Sequence, residues 1–503
     1  MTPAVPHEAA HSALATGGGV ASAVVLATYL LLQLVVMLYS SHRYLVLWWS
    51  WKARRGRLDP RAGLAEWPQV TVQLPLYNEP QVARRLIDAV ASLHYPRDRL
   101  EIQILDDSTD GTTELAAAAA AELRARGVDV TVYHRPARRG YKAGALAEGL
   151  ARARGEFVAV FDADFVPPRD FLTRLLPHFA DPGVGMVQAR WGHLNRGRSL
   201  LTEAQAVMLD AHFLLEHEVR MARGCFFNFN GTAGIWRRAC IEAAGGWSCD
   251  TLTEDLDLSY RGQLGGWRFV FDRRAECPAE LPIDIEALKS QQRRWTRGSI
   301  QTAVKMLPRV WASGASRAAK LEALVHLTNN LTYPLLVGLA VLMLPVMIAV
   351  PDSRSWTGAA LQLGVLLFGV LPVGLFLMAG QLAAGSRDPW RIVRGAVAAL
   401  VLGIGLSVNN ALAALRGFRT ASGNWERTPK TGDEMAHPAP RPSAHRPRSG
   451  VVEALFALYF GGLGVFAANT GHTRALPFVL LLMAGFGFVA WCSRPAATGV
   501  AGR

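Results

Sequence analysis

Three groups of carboxylates and amides stand where the chain's pattern turns from strand to loop. Asn78-Glu79 follow the apolar run 70–74, Asp106-Asp107 follow the run 100–105, and Asp162-Ala163-Asp164 follow 157–161. Loop aspartates are common turn formers and helix caps, so one such cluster would say little. Three that converge on one rim point to oxygen ligation of a divalent cation. Asp162 and Asp164, one residue apart at a strand tip, can offer oxygens to a single ion. Such an ion bridges a diphosphate and neutralises a phosphate leaving group. Phosphates also call for cations and backbone N–H groups. Arg138-Arg139-Gly140-Tyr141-Lys142-Ala143-Gly144 supplies both just before a helical pattern, although alone it reads equally as a solvated basic turn.

A further acidic group, Thr253-Glu254-Asp255-Leu256-Asp257, precedes a short helical pattern over 258–264. As structure, Thr253 is a cap and the acids suit the first turn. As chemistry, Asp255 is a general base for an acceptor hydroxyl. The two readings are compatible, because a helix start can aim an acid into a cleft. Downstream, Gln291, Arg294 and Trp295 share one helix face. That face offers a guanidinium and an indole to a phosphate or a sugar. Its alternative is a basic amphipathic helix on a membrane surface.

The elements that must position these groups lie between residues 66 and 317. Strand patterns at 70–74, 100–105, 128–133 and 157–161 alternate with helical patterns at 82–93, 112–126 and 143–154. This alternation predicts a parallel sheet covered by helices, with ligands beyond the carboxyl ends of its strands. The alanine run 116–121 reads as helix propensity. His212 and His217 are five residues apart, which does not place them on one α-helical face, so they are not expected to be ligands.

Composition sets the surroundings. Of 503 residues, 50% are hydrophobic and 18% charged, against about 25% charged in soluble proteins. A purely soluble protein and a disordered one are both disfavoured. The net charge of +13 suits loops that obey the positive-inside rule, or phosphate-bearing substrates, far better than nucleic acid. Cys225, Cys240, Cys249, Cys277 and Cys492 are odd in number and lack metal-ligand spacing, which supports neither a disulfide framework nor a zinc site.

Residues 18–40 form an apolar span followed by Arg43, Lys52, Arg54, Arg55 and Arg57. This places residues 1–17 outside and the insert 66–317 in the cytoplasm. Two more spans are expected within 331–380 and two within 451–491. The stretch 392–412 is interrupted by Ser407, Asn409 and Asn410 and is read as interfacial or re-entrant. The basic segment 416–448 then stays in the cytoplasm, and its 437–448 part, rich in proline, is a linker.

Asp106-Asp107, Asp162-x-Asp164, Thr253-Glu254-Asp255 and Gln291-x-x-Arg294-Trp295, in that order, resemble the motif set of processive family 2 glycosyltransferases. Residues 229–236, 187–191 and 267–269 look like the cellulose synthase-like branch that includes mannan and glucomannan synthases. The segment 425–432 looks like the gating loop of bacterial cellulose synthase. The resemblance implies a nucleotide-diphosphosugar transferase fold of type A, an α/β cytoplasmic domain inserted in a helical transmembrane bundle. It implies a multi-pass protein of the inner or plasma membrane. The activity implied is inverting transfer of a hexose, from UDP-glucose or GDP-mannose, to a growing β-linked polysaccharide, with export of the chain as a further possibility. Transfer of a single sugar to a lipid acceptor is the alternative.

Residue by residue, the resemblance implies that Asp106, Asp107, Glu79, Lys142, Asp162, Gln291, Arg294 and Trp295 hold the nucleotide-sugar. Asp164, with Asp162, binds Mg²⁺ or Mn²⁺, and Asp255 is the base. Phe229, Asn230, Gly231, Thr232, Glu254 and Trp295 serve the acceptor.

Overall fold

The computed structural model describes residues 7–53, 66–349, 356–419, 430, 432 and 450–494. The basic residues 54, 55 and 57, most of the segment 425–432 and the linker 437–448 lie outside them.

Seven strands form one sheet: β1 (Val70–Leu76), β2 (Leu100–Asp106), β3 (Val130–His134), β4 (Phe157–Val160), β5 (Val184–His193), β6 (Gly234–Arg237) and β7 (Arg268–Ala279). Their order is β3-β2-β1-β4-β6-β5-β7. β1 pairs in parallel with β2 and with β4, and β2 with β3. Only β6 runs against its neighbours β4 and β5. The expected α/β class is what the structure shows. The chain moves from β1 outward to β2 and β3, then returns to the other side of β1 as β4. That reversal opens a crevice at the carboxyl ends of β1 and β4, where ligands bind in sheets of this kind. Pro75 does not end β1 as its sequence suggests. The strand continues to Leu76, which pairs with Asp106.

Strands buried on both faces need apolar residues in sequence, and β4 shows why. Phe157 and Ala159 join the core cluster beneath the helices Ala83–Ala91 and Thr112–Ala125. Val158 and Val160 join the opposite cluster with Leu146 of the helix Tyr141–Arg152. Gly149 of that helix rests on a buried amide pair, Gln73 Nε2 donating to Gln103 Oε1 at 3.0 Å. A Cβ at 149 would sit 2.6 Å from Gln73 Nε2 and 2.9 Å from Gln103 Oε1. Gly149→Ala should therefore lower stability. Overpacking costs about 1–3 kcal/mol, more than the ~1 kcal/mol that alanine adds as a better helix former. A fall in the thermal unfolding midpoint checks this, and an unchanged or raised midpoint would contradict it.

Among the described residues, five helices are long and apolar enough to cross a membrane: Val20–Lys52, Arg317–Ala349, Gln362–Ala383, Val451–Asn469 and Thr473–Cys492. The stretch containing 392–412 is a bent pair, Pro389–Gly405 and Ser407–Gly417, with 53° between its halves; counted as one span it makes a sixth. The first helix continues well past the expected end at residue 40, to Ala53. The helical run Leu200–Ala211, His212–His217 and Glu218–Ala222 joins the α/β domain to these helices. At Gly380 the contact is close: a Cβ there would lie 2.7 Å from the Ala211 Cα.

Candidate active site

The carboxyl ends of β1, β2 and β4 open onto a cavity of about 140 Å³. Glu79, Asp107, Lys142, Asp162, Asp164, Asn230, Gly231, Glu254, Asp255, Gln291, Arg294 and Trp295 all line it. Twelve residues expected from seven separate segments of the sequence thus face one space. The strand register explains the first of them. Parallel pairing that sets Leu76 beside Asp106 carries the residues after β1 and β2 to the same rim.

Asp106 and Asp107 divide here. Asp106, the last residue of β2, is fully buried. Its carboxylate accepts from Ser108 N at 3.0 Å, Thr113 Oγ at 2.7 Å and His134 Nδ1 at 2.8 Å. Burial opposes its charge, but these bonds hold its pKa below the usual value. It organises the loop and is not among the cavity's lining residues. Asp107 does line the cavity, gripped by Arg135 through two bonds of 2.7 Å. Arg138 lies 3.4 Å from the centre of the Tyr77 ring on the same rim, and such a stack suits a nucleobase as well as a guanidinium.

Lys142 Nζ donates to Asp162 Oδ1 at 2.5 Å and to the Gly231 carbonyl at 2.8 Å. Burial alone would depress this ammonium, but Asp162, Glu254 and Asp255 raise its pKa. Asp164 is 4% exposed, and its carboxylate contacts the Lys430 ammonium. Burial raises the Asp164 pKa. Each carboxylate of the Asp162-x-Asp164 pair therefore already holds a cation. Asp162 and Asp164 offer hard oxygens at one strand tip, the donor type that Mg²⁺ or Mn²⁺ takes, and would be the residues to hold such an ion. Among the described residues no three His, Cys, Asp or Glu side chains form a complete metal cage.

Thr253 is the N-cap residue of the helix Glu254–Leu264, yet its side chain makes no capping bond. Its hydroxyl lies 3.2 Å from that of Thr302 instead. The Asp255 carboxylate accepts from Leu256 N at 2.9 Å. Burial, and then the Glu254 charge, push its pKa up to about 7. Burial raises Glu254 as well. Gly231, at φ 79°, lets the backbone pass close to both partners: a Cβ there would lie 3.0 Å from Asp255 Oδ2 and 3.4 Å from Lys142 Nζ. The helix Ile285–Ala312 brings Gln291, Arg294 and Trp295 to the opposite wall. Burial lowers the Arg294 pKa, against the carboxylates of Glu254, Asp162, Asp255 and Glu79.

Phe229 and Thr232, expected at the acceptor site, are fully buried instead. Phe229 packs edge-on against Trp236, and Thr232 Oγ accepts from Asp162 N at 2.9 Å. They support Asn230 and Gly231, the two members of that motif that line the cavity. Sequence reasoning assigned no site role to Trp191. Its ring lies 6.4 Å from that of Trp295, and both line the cavity. Its alternating position in 187–191 signals a strand and does not say which strand end meets the site. Lys430 was also missed as a site residue. A second cavity, of about 310 Å³, continues from Trp191, Asn230, Asp255, Gln291 and Trp295 to His42 and Arg43 of the first membrane-length helix.

Residues 68–298 match the sequence family described as "Glycosyltransferase like family 2". The chain is 40% identical over 299 residues to glucomannan 4-beta-mannosyltransferase 2 of Arabidopsis thaliana, covering 56% of each. It is 42% identical over 254 residues to glucomannan 4-beta-mannosyltransferase 1 of Oryza sativa subsp. japonica, covering 50% of this chain and 49% of that one. The chain thus matches about half the length of these curated relatives. Among solved structures, a mannosyltransferase of Pyrobaculum calidifontis in complex with GDP-Man and Mn²⁺ aligns with 76% of this chain and 99% of its own, at TM-score 0.48 and 21% identity.

Proposed function

From the family 2 glycosyltransferase domain at residues 68–298, we infer that the chain is an inverting hexosyltransferase. It moves a hexose from a nucleotide-diphosphosugar to a growing β-linked polysaccharide. The observation that carries this reading is Asp255, a half-buried carboxylate in one cavity with Lys142, Arg294 and the Asp162-x-Asp164 pair. The curated relatives are named as mannosyltransferases, which favours GDP-mannose over UDP-glucose as the donor.

The nucleotide lies against Tyr77, Asp107 and Arg138. Lys142 and Arg294 face the diphosphate and offset its charge in a site shielded from water. Asp162 and Asp164 would hold Mg²⁺ or Mn²⁺, and the ion, when bound, supplies neutralisation of the leaving diphosphate. The acceptor enters from the second cavity, between Trp191, Trp295 and Asn230. Asp255 takes the proton of the acceptor hydroxyl as that oxygen forms its bond to the anomeric carbon. The bond to the diphosphate breaks on the opposite side, so an α-linked donor yields a β-linkage. Five membrane-length helices support a multi-pass membrane protein, with this domain on the cytoplasmic side.

The test is incubation of membranes carrying the protein with labelled GDP-mannose, UDP-glucose and UDP-N-acetylglucosamine, each with Mg²⁺ or Mn²⁺. The expected result is label from GDP-mannose in a polymer that β-mannanase digests. Label confined to the lipid extract would replace the polymer by a lipid acceptor. Absence of label from every donor would remove the reading.

A further inference from the structure

His212 and His217 come together in the fold. The helix that carries them makes a π-helical turn over His212–His217. Its wider i→i+5 repeat brings residues five apart onto one face, which an α-helix would not do. The two imidazole centroids are 4.5 Å apart. Both rings reach the side chain of Asn230, which lines both cavities beside Asp255.

The three side chains form a chain of hydrogen bonds with a single polarity. An amide oxygen only accepts, so His217 Nε2 carries the proton it donates to Asn230 Oδ1 at 2.7 Å. An amide nitrogen only donates, so Asn230 Nδ2 gives a hydrogen to His212 Nε2 at 3.2 Å. His212 is then protonated on Nδ1, which donates to Glu216 Oε2 at 2.8 Å. Burial, with the nearby His212 and Arg220, keeps His217 neutral, its pKa well below the usual value. Asn230 is also tied by its backbone, whose N–H donates to Gln188 Oε1 at 3.0 Å. One hydrogen of its amide remains for a ligand where the two cavities meet. π-Turns inside α-helices cluster at functional sites.

We propose that His212 and His217 are positioning residues that clamp the Asn230 amide, so that its remaining N–H binds an oxygen of the acceptor sugar beside Asp255. This deepens the polysaccharide reading above and rests on it. The clamp fixes which end of the amide faces the acceptor; without it the side chain is free to rotate or flip.

The test uses the full chain in nanodiscs with Mn²⁺ and GDP. Binding of mannohexaose and cellohexaose is followed by calorimetry, alongside the affinity for GDP itself. His217→Phe suits the aromatic surroundings, since Phe213, Phe227 and Phe271 lie within 5.5 Å of His217, centroid to centroid. It should weaken oligosaccharide binding about tenfold, the worth of one well-placed hydrogen bond, and leave GDP affinity unchanged. His217→Gln, whose amide can donate to Asn230, should recover most of the loss. Half-buried His212→Phe should weaken binding likewise and carries the test if the buried variant does not fold. Oligosaccharide affinities equal to wild type in both phenylalanine variants would overturn the clamp alone. So would equal losses of GDP and oligosaccharide binding without rescue by glutamine, since that marks a structural role. A wild-type chain that binds GDP but neither oligosaccharide would instead remove the polysaccharide reading, and the clamp with it.

Discussion

Asp255→Asn should reduce hexose transfer by about 10²–10⁴-fold, the range for loss of a positioned general base. Nucleotide-sugar binding should persist. Asparagine keeps the volume of the side chain, and its Oδ1 still accepts from Leu256 N, the bond that now holds the carboxylate at 2.9 Å. What it cannot do is take a proton. The pH dependence follows from the same group. Its folded pKa is raised to about 7 by burial and by Glu254, and only the ionised form is a base. For the wild type, kcat/KM should therefore fall as pH drops through about 7, about tenfold per unit well below it. The small residual activity of the asparagine variant should lack that acidic limb. Initial rates with labelled donor across pH 5–9 check both statements, a range of roughly two units either side of the raised value. A variant within tenfold of wild type, or one that keeps the limb, would place the base elsewhere.

Asp164→Asn should abolish tight Mn²⁺ binding and lower kcat/KM by about 10²–10³-fold. The metal contributes several kcal/mol of charge neutralisation, and each factor of ten is roughly 1.4 kcal/mol. The asparagine keeps one oxygen donor but loses the charge that now holds the Lys430 ammonium at this buried position. Asp162, bonded to Lys142 at 2.5 Å through Oδ1, has one carboxylate oxygen left to offer and would be the sole carboxylate of the pair. Titration of Mn²⁺ followed by electron paramagnetic resonance reads binding without reference to turnover. Wild-type Mn²⁺ affinity in the variant would show that the ion binds without Asp164.

Asp164 was found first by its place after a strand pattern, and the reason that worked is geometric. In a parallel sheet every strand of the set ends on the same side, so residues after β1, β2 and β4 share a rim whatever the sheet's details. The same holds for the helix face of Gln291, Arg294 and Trp295, because a period of 3.6 residues is a local property. Membrane-length helices are legible for an equally local reason: about 20 apolar residues suffice to declare one.

What local rules left open was settled by contacts between distant parts of the chain. Asp106 and Asp107 are neighbours of the same chemistry, and successive strand residues point to opposite faces. The strand pattern does not say which of them meets the cleft. The loop 107–113 and His134 on β3 draw Asp106 inward, and Arg135 holds Asp107 at the rim. Phe229 and Thr232 were likewise indistinguishable in type from Asn230 and Gly231 as acceptor contacts until packing against Trp236 and Asp162 buried them. A spacing of five between His212 and His217 argued against a shared face because α-helical geometry was assumed, and a π-turn reversed that conclusion. Lys430 reaches Asp164 although the two lie 266 positions apart in the sequence. The sequence by itself determined the sheet class, the rim of carboxylates and the membrane-length helices, because each follows from local periodicity or strand direction. Which of those carboxylates face the cleft and which side chains brace them follow from the folded arrangement, since they depend on contacts that no local pattern encodes.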